Sequence, residues 1–315
     1  MKADSKRKKY TERDQIMKKV GLIGLGAMGS GMASSLRRAG FDLYVFDVRL
    51  DHARRFCEAG GTACESIKEL GSICDVVISV VVNAAQTEEV LFGSSTSPGL
   101  VDSLKPQSVF VMCSTVDPNI SISFESRLAE KNILYVDAPI SGGAAKAASG
   151  EMTMMTSACA AAYELVNPIL DAMSGTVYRL GDKAGIGSKV KVINQLLAGV
   201  HIAAAAEAMA LGLREGVDAN ALYEVITHSA GNSWMFENRM AHVLAANYEP
   251  LSAVDIFVKD LGIVLDMARA SKFPLPLSST AHQMFMQAST AGFAKEDDSA
   301  VIKIFPGIEL PKASK

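Results

Sequence analysis

The sequence predicts an α/β chain in two parts: an N-terminal domain built on a doubly wound parallel sheet, then an all-α C-terminal domain. Three observations carry this. A short apolar run, Val20-Gly21-Leu22-Ile23, leads straight into Gly24-Leu25-Gly26-Ala27-Met28-Gly29. Apolar runs and helical patterns alternate from there to about residue 180, as parallel strands joined by crossover helices do. Beyond Gly181-Asp182-Lys183-Ala184-Gly185 the strand patterns stop and helical periodicity takes over.

In chain order, a helix over 27–39 stops at Gly40, a residue suited to a helix C-terminus. A strand over 42–47 contains Leu43-Tyr44-Val45-Phe46 and ends at Asp47. Short helices are expected near 51–59 and 65–71. The run from Asp75 through Val82 is apolar almost throughout, as a strand buried on both faces should be. A helix near 84–91, a strand over 108–113, a helix over 117–131 and a strand over 133–137 continue the alternation. Strand-like runs Met152–Thr156 and Thr176–Leu180 flank a helix near 160–172. In the second part a long helix occupies 187–214 and closes near Gly216; helices near 218–229, 234–245, 255–271, 276–290 and 298–304 follow. Ser252-x-x-Asp255 looks like a capping box opening one of them. The domain limits are a disordered basic tail over 1–18, a nucleotide-binding domain over 19–182 and an all-α domain over 183–308. A helix of 28 residues is about 42 Å long, more than one small domain needs. It is expected to link both domains and to pack against a second subunit.

Composition narrows the function. The 315 residues are 49% hydrophobic and 21% charged, with a net charge of −3, so nothing points to nucleic acid. No uninterrupted apolar run approaches the roughly 20 residues of a membrane span. The Ala-rich stretch 196–211 contains His201 and Glu207 and reads as a buried helix. The five cysteines, Cys57, Cys64, Cys74, Cys113 and Cys159, are odd in number and form no C-x-x-C, so a reducing cytoplasm is expected, without disulfides or zinc. His201 and His228 lack partners at metal spacing, and no metal is expected. Lys2, Lys6, Arg7, Lys8 and Lys9 precede no apolar stretch of the kind a secretory signal has.

The chemistry begins at the fingerprint. In G-x-G-x-x-G, Gly24 permits the tight turn, Gly26 lets the backbone approach a pyrophosphate, and Gly29 lets the following helix pack closely. Ala27 and Met28 lie at the helix N-terminus, whose free N–H groups face the phosphates. Asp47 stands at the end of the second strand, about 20 residues on, where a carboxylate accepts from the adenosine ribose 2′-OH and repels a 2′-phosphate. The expected cofactor is NAD, although Arg49 offers a possible partner for adenine or a 2′-phosphate. Ligands in such sheets bind beyond the strands' carboxyl ends. Val82-Asn83, Ser114-Thr115 and Ser141-Gly142-Gly143 occupy three of these ends, and each alone also suits an ordinary strand-to-helix loop. Lys191 lies one turn into the long helix, four residues before Gln195 on the same face. A partly buried lysine there has its pKa lowered toward neutrality, as a general acid/base needs; Lys189 is the alternative. Lys259 sits about a turn into a helix, where cations are disfavoured.

Four segments in order resemble the signatures of the β-hydroxyacid dehydrogenase family, which includes 3-hydroxyisobutyrate dehydrogenase, tartronate semialdehyde reductase and 6-phosphogluconate dehydrogenase. They are Gly24 through Ala33, Asp137 through Gly143, Gly187-x-x-x-Lys191-x-x-Asn194, and Lys259-Asp260-Leu261-Gly262. The resemblance covers residues 19–305. It implies a Rossmann-type NAD-binding domain, an all-α substrate domain, and a homodimer or homotetramer acting on a small hydroxyacid. It makes Lys191 the general acid/base. Ser141, Gly142 and Gly143 would hold the substrate, with Asn194, Gln195, Asn232 and Ser233 beside them. Val82, Asn83, Thr115 and Lys259 would serve the cofactor. Three longer stretches outside the signatures, Gln195–Ala203, Ala230–Arg239 and Lys295–Phe305, point within the family to L-threonate as substrate. Two positions depart from the family pattern: Gln195 stands where the family often has Asn, and Ser35 where the fingerprint helix usually has Asn. Gln195 has the longer reach and suits a different substrate length.

Overall fold

The computed structural model describes residues 18–312. The expected basic tail lies outside them except for Lys18, whose ammonium donates to the Leu165 carbonyl at 2.9 Å. The first compact unit ends at Lys189 and the second begins at Val190.

The first unit runs β1 (Lys19–Ile23), α1 (Ala27–Arg38), β2 (Asp42–Phe46), α2 (Leu50–Cys57), β3 (Thr62–Ala63), α3 (Ile67–Ile73), β4 (Val76–Ser79) and α4 (Ala84–Phe92). It continues with β5 (Val109–Met112), α5 (Pro118–Ala129), β6 (Leu134–Asp137), β7 (Ile140–Ser141), α6 (Gly143–Ser149), β8 (Met152–Ser157), α7 (Ala160–Met173) and β9 (Ser174–Gly181). The strand order is β3-β2-β1-β4-β5-β6-β8-β7, with β9 on β8. Strands β1 to β6 are parallel. The order reverses between β1 and β4, which opens the ligand crevice at their carboxyl ends.

The continuous apolar runs follow from burial on both faces. Along β5, Val109 and Val111 enter a core with Leu22, Val45, Ile78 and Met32. The alternate residues Phe110 and Met112 enter a second core with Ile23, Val77, Phe124 and Leu128. Each such side chain contributes roughly 1.5–3 kcal/mol.

The doubly wound, parallel-dominated sheet is as expected, with one antiparallel addition. β8 runs antiparallel to β6 and β7. After Asp137 the chain makes the short strand β7, whose Ile140 and Ser141 pair with Met154 and Thr153, and this hairpin sets the direction of β8.

The second unit contains most of α8 (Ile186–Arg214), then α9 (Ala219–Thr227), α10 (Trp234–Leu244), α11 (Val254–Ala270), α12 (Pro276–Ala288) and a 3₁₀ segment (Asp298–Ile304). By length and composition α8 is apolar enough to cross a membrane. Here its Val192, Ile202, Ala206 and Met209 are fully buried in a core with Phe236, Phe257, Leu261 and Phe285. Gly199 lets α11 approach: a Cβ there would lie 3.0 Å from Leu261 and Phe257 side-chain atoms.

Two local expectations are corrected. The capping box at Ser252 does not form. The N-cap of α11 is Ala253, and the Val254 and Asp255 N–H groups donate to the carbonyls of Glu296 and Ala294, so no side-chain cap is needed. The Ser252 hydroxyl goes to Asp298 and the Asp255 carboxylate accepts from Ser289 at 2.6 Å. Residues 298–304 form 3₁₀ turns instead of an α-helix, opened by Asp297, which accepts from both the N–H and the hydroxyl of Ser299.

Candidate functional site

Gly24 and Gly29 of the fingerprint each have a steric reason within the chain. Gly24 has φ 94°, and a Cβ on it would lie 2.7 Å from the Val80 carbonyl. A Cβ on Gly29 would lie 1.8 Å from the Gly24 carbonyl, so the helix could not pack on its own turn. Gly29→Ala should cost about 1–3 kcal/mol by overpacking and weaken NAD binding; a titration with unchanged NAD affinity would defeat this account. At Gly26 nothing lies within 4 Å of a Cβ, leaving open space beside the exposed backbone.

Gly26 is also the N-cap of α1, with no side-chain cap and no acid in the first turn, so the free N–H groups and the helix dipole favour an anion. Asp47 is 6% exposed. It accepts from the Leu25 N–H at 2.7 Å and the Arg49 N–H at 2.9 Å, which ties the end of β2 to the fingerprint turn. The Arg49 guanidinium is 3.6 Å from the same carboxylate and largely exposed. Open backbone at Gly26, an uncapped helix terminus and a fixed carboxylate together suit NAD: phosphates at Gly26–Gly29 and the ribose diol at Asp47. Asp47→Ala is expected to cost roughly 1.5–3 kcal/mol of NAD affinity and to lower the ratio of kcat/KM with NAD to that with NADP.

The other strand ends lie in the same unit. The Val82 N–H donates to Gln86 Oε1, and Asn83 caps α4 by accepting from the Gln86 N–H, both at 2.9 Å. The Ser114 hydroxyl donates to the Val81 carbonyl at 2.8 Å, fixing the end of β5 to that of β4, with Thr115 half-buried beside it. Ser141 closes β7. Gly142 and Gly143, at φ 134° and 78°, then turn the chain into α6, a bend that L side chains rarely adopt.

Asp137, at the end of β6, has a role the sequence did not reveal. Its fully buried carboxylate accepts from the Ser188 hydroxyl at 2.6 Å and from the Ser188 and Gly185 N–H groups at 2.9 Å. It thus caps the first turn of α8 from 51 residues away. Burial raises its pKa, and the Ser188 and Gly185 bonds oppose that. Gly187 permits the approach, since a Cβ there would lie 2.4 Å from the Met155 carbonyl.

One turn further along α8, Lys189 is exposed and Lys191 is 6% exposed. Lys191 Nζ donates to Gln195 Oε1 at 2.7 Å, and Asn194 Nδ2 donates to the same oxygen at 3.2 Å. Gln195 Nε2 donates to Asp260 Oδ2 at 2.6 Å, and Lys259 Nζ donates to Asp260 Oδ1 at 2.5 Å. Burial pulls the Lys191 ammonium down to about 8, opposed by Asp260 and assisted by Lys259. Lys191, Asn194, Gln195 and Lys259 therefore meet in one polar cluster, with Lys191 and Gln195 buried and Asn194 and Lys259 half-buried. Asp260 is the member that sequence reasoning overlooked. It lies with Phe257, Leu261 and Val264 on the buried face of α11, and an acid on an apolar face is the signal for a buried partner.

Asn232 and Ser233 belong to another local structure, the start of α10. Ser233 is its N-cap and accepts from the Phe236 N–H at 3.0 Å. Asn232 Nδ2 donates to the Thr227 carbonyl at 3.1 Å, and its Oδ1 is buried without a partner among the described residues.

The chain resembles known proteins along both units. Residues 19–181 match the family described as the NAD binding domain of 6-phosphogluconate dehydrogenase. Residues 185–305 match that described as the NAD-binding domain of NADP-dependent 3-hydroxyisobutyrate dehydrogenase. The chain is 65% identical to an L-threonate dehydrogenase of Cupriavidus necator, over 93% of this chain and 97% of that protein. It is 50% identical to an L-threonate dehydrogenase of Escherichia coli, over 93% and 97%. A crystal structure described as 3-hydroxyisobutyrate dehydrogenase from Salmonella typhimurium superposes with a TM-score of 0.86 at 50% identity, covering 91% of this chain and 100% of that one. With a dinucleotide fingerprint, a helical second domain and relatives at this level, the chain belongs to the β-hydroxyacid dehydrogenase family, the 3-hydroxyisobutyrate dehydrogenase-related enzymes that act on a CH–OH group with NAD.

Proposed function

We propose that this enzyme oxidises L-threonate to 2-oxo-tetronate. The observation that carries the chemistry is the buried Lys191, its ammonium lowered to about 8 and hydrogen-bonded to Gln195. The substrate choice is supported by the relatives at 50–65% identity. NAD, when bound, supplies the hydride acceptor. Lys191 in its neutral form takes the hydroxyl proton while the hydrogen on the same carbon leaves with its electron pair, and the C–O bond becomes a carbonyl. Ser141, Gly142, Gly143, Asn194, Gln195, Asn232 and Ser233 are the substrate-binding candidates. Thr115 and Lys259 are candidates for the nicotinamide half of the cofactor, and Val82 and Asn83 for the rest of its groove. Ile193, Leu197 and Leu211 on α8 are more than half exposed, which supports a homodimer or homotetramer. The reading has the enzyme in the cytoplasm, with neither nucleic acid nor membrane as partner.

The second reading is a sibling reaction on 3-hydroxyisobutyrate or tartronate semialdehyde, favoured by the description of the Salmonella structure. A non-catalytic NAD-binding scaffold is a weaker third, because such a protein has no use for a buried lysine. Initial rates with L-threonate, 3-hydroxyisobutyrate and tartronate semialdehyde, each with its nicotinamide partner in the NAD and the NADP series, decide among them. Turnover of L-threonate with NAD is expected, and its absence rejects the proposal.

A further inference from the structure

The amide of Gln195 has two nearly isosteric orientations, one presenting oxygen to Lys191 and the other presenting an NH₂. An ionised carboxylate only accepts hydrogen bonds. Asp260 is 2% exposed and faces Gln195 at 2.6 Å, so it selects the orientation in which Nε2 points to α11 and Oε1 to Lys191. The longer side chain of Gln195 spans from α8 to α11 while keeping its oxygen 2.7 Å from the lysine. The reversed amide would set two donors face to face with the ammonium in a dry site, where an unmatched polar group costs about 1–3 kcal/mol.

We infer that Asp260 is a positioning residue for Lys191, acting through Gln195 to hold the lysine Nζ and to set how readily it gives up its proton. This rests on the reading of Lys191 as the general base. Asp260 stabilises the ammonium in two ways: by its own charge, and by fixing an acceptor beside Nζ. Among the described residues the charged groups bearing on Lys191 are Asp260 and Lys259, both from α11. Lys259 is itself bound to Asp260, so the carboxylate also offsets the repulsion between Lys259 and Lys191.

The test compares wild type with Asp260→Asn and Gln195→Leu by two readouts. One is the pH dependence of kcat/KM for L-threonate oxidation, which rises as the lysine loses its proton. The other needs no substrate: a ¹³C NMR titration of enzyme labelled at lysine Cε, with the Lys191 signal assigned by its loss in Lys191→Arg. In wild type both midpoints are expected near 8. In Asp260→Asn both should move down by about one pH unit. Gln195→Leu, which keeps the carboxylate but breaks the relay, should move them the same way. Unmoved midpoints in Asp260→Asn overturn the inference. A shift in Asp260→Asn with none in Gln195→Leu also overturns it, since the charge would then act without the amide. If Asp260→Asn does not fold, Gln195→Leu carries both readouts alone. Shifted NMR midpoints with no turnover of L-threonate would reject the proposed reaction and leave the relay standing.

Discussion

Lys191→Ala is expected to lower kcat for L-threonate oxidation by about 10²–10⁴-fold, with NAD affinity unchanged. The magnitude is that of losing a positioned acid/base. The affinity is spared because the fingerprint turn, the open backbone at Gly26 and the Asp47 carboxylate are built in the nucleotide-binding unit from residues that bond to one another. Lys191→Arg separates proton transfer from charge. A guanidinium stays protonated across the accessible pH range and accepts no proton, so this variant should be nearly as slow as the alanine one. Steady-state rates beside NAD titration by intrinsic fluorescence check both statements. Near-wild-type turnover in either variant would remove Lys191 from the chemistry.

The largest effect on stability is expected from Asp298→Ala. Its carboxylate accepts from Arg239 Nε at 2.5 Å and Nη2 at 3.1 Å, and both side chains are almost wholly buried. Truncation strands a buried guanidinium, which costs about 3–5 kcal/mol and should lower the melting temperature by on the order of 10 °C. Burial pushes the Asp298 carboxyl up to about 6 against the pull of Arg239, so desolvation outweighs the attraction. Replacing both partners, as Arg239→Met with Asp298→Leu, should therefore cost less than removing the acid alone. Calorimetry on the two variants tests this, and a single-variant loss under about 1 kcal/mol would contradict it.

Most of the fold is readable in the sequence because its pattern is local. Strands buried on both faces, such as Val76–Ser79, read as uninterrupted apolar runs. The fingerprint joins a strand, a turn and a helix within ten residues. The strands Thr62–Ala63 and Ile140–Ser141 are too short to show a period, and α6, with the sequence Gly-Ala-Ala-Lys-Ala-Ala-Ser, has no apolar stripe to mark it. The antiparallel direction of β8, which that hairpin sets, therefore leaves no mark in the pattern. The site divides in the same way. Lys191 and Gln195 are one turn apart, and periodicity alone puts them side by side. The groups that hold them are remote in sequence: Asp260 meets Gln195 across 65 residues and Asp137 meets Ser188 across 51. No local pattern encodes such pairs, although an acid on the apolar face of α11 hints that one exists.

The carboxylate of Asp137 bears on how this chain can be recombined. The loop Gly181–Gly185 marks the change from mixed to helical pattern and is the natural place to exchange C-terminal halves between relatives. Yet the first turn of the following helix is completed by Asp137, through Gly185 and Ser188. A crossover in the loop takes these two residues from one parent and their acceptor from the other. A junction placed after Lys189 keeps the carboxylate and its donors in one parent, and delivers Lys191 on a helix whose start is native.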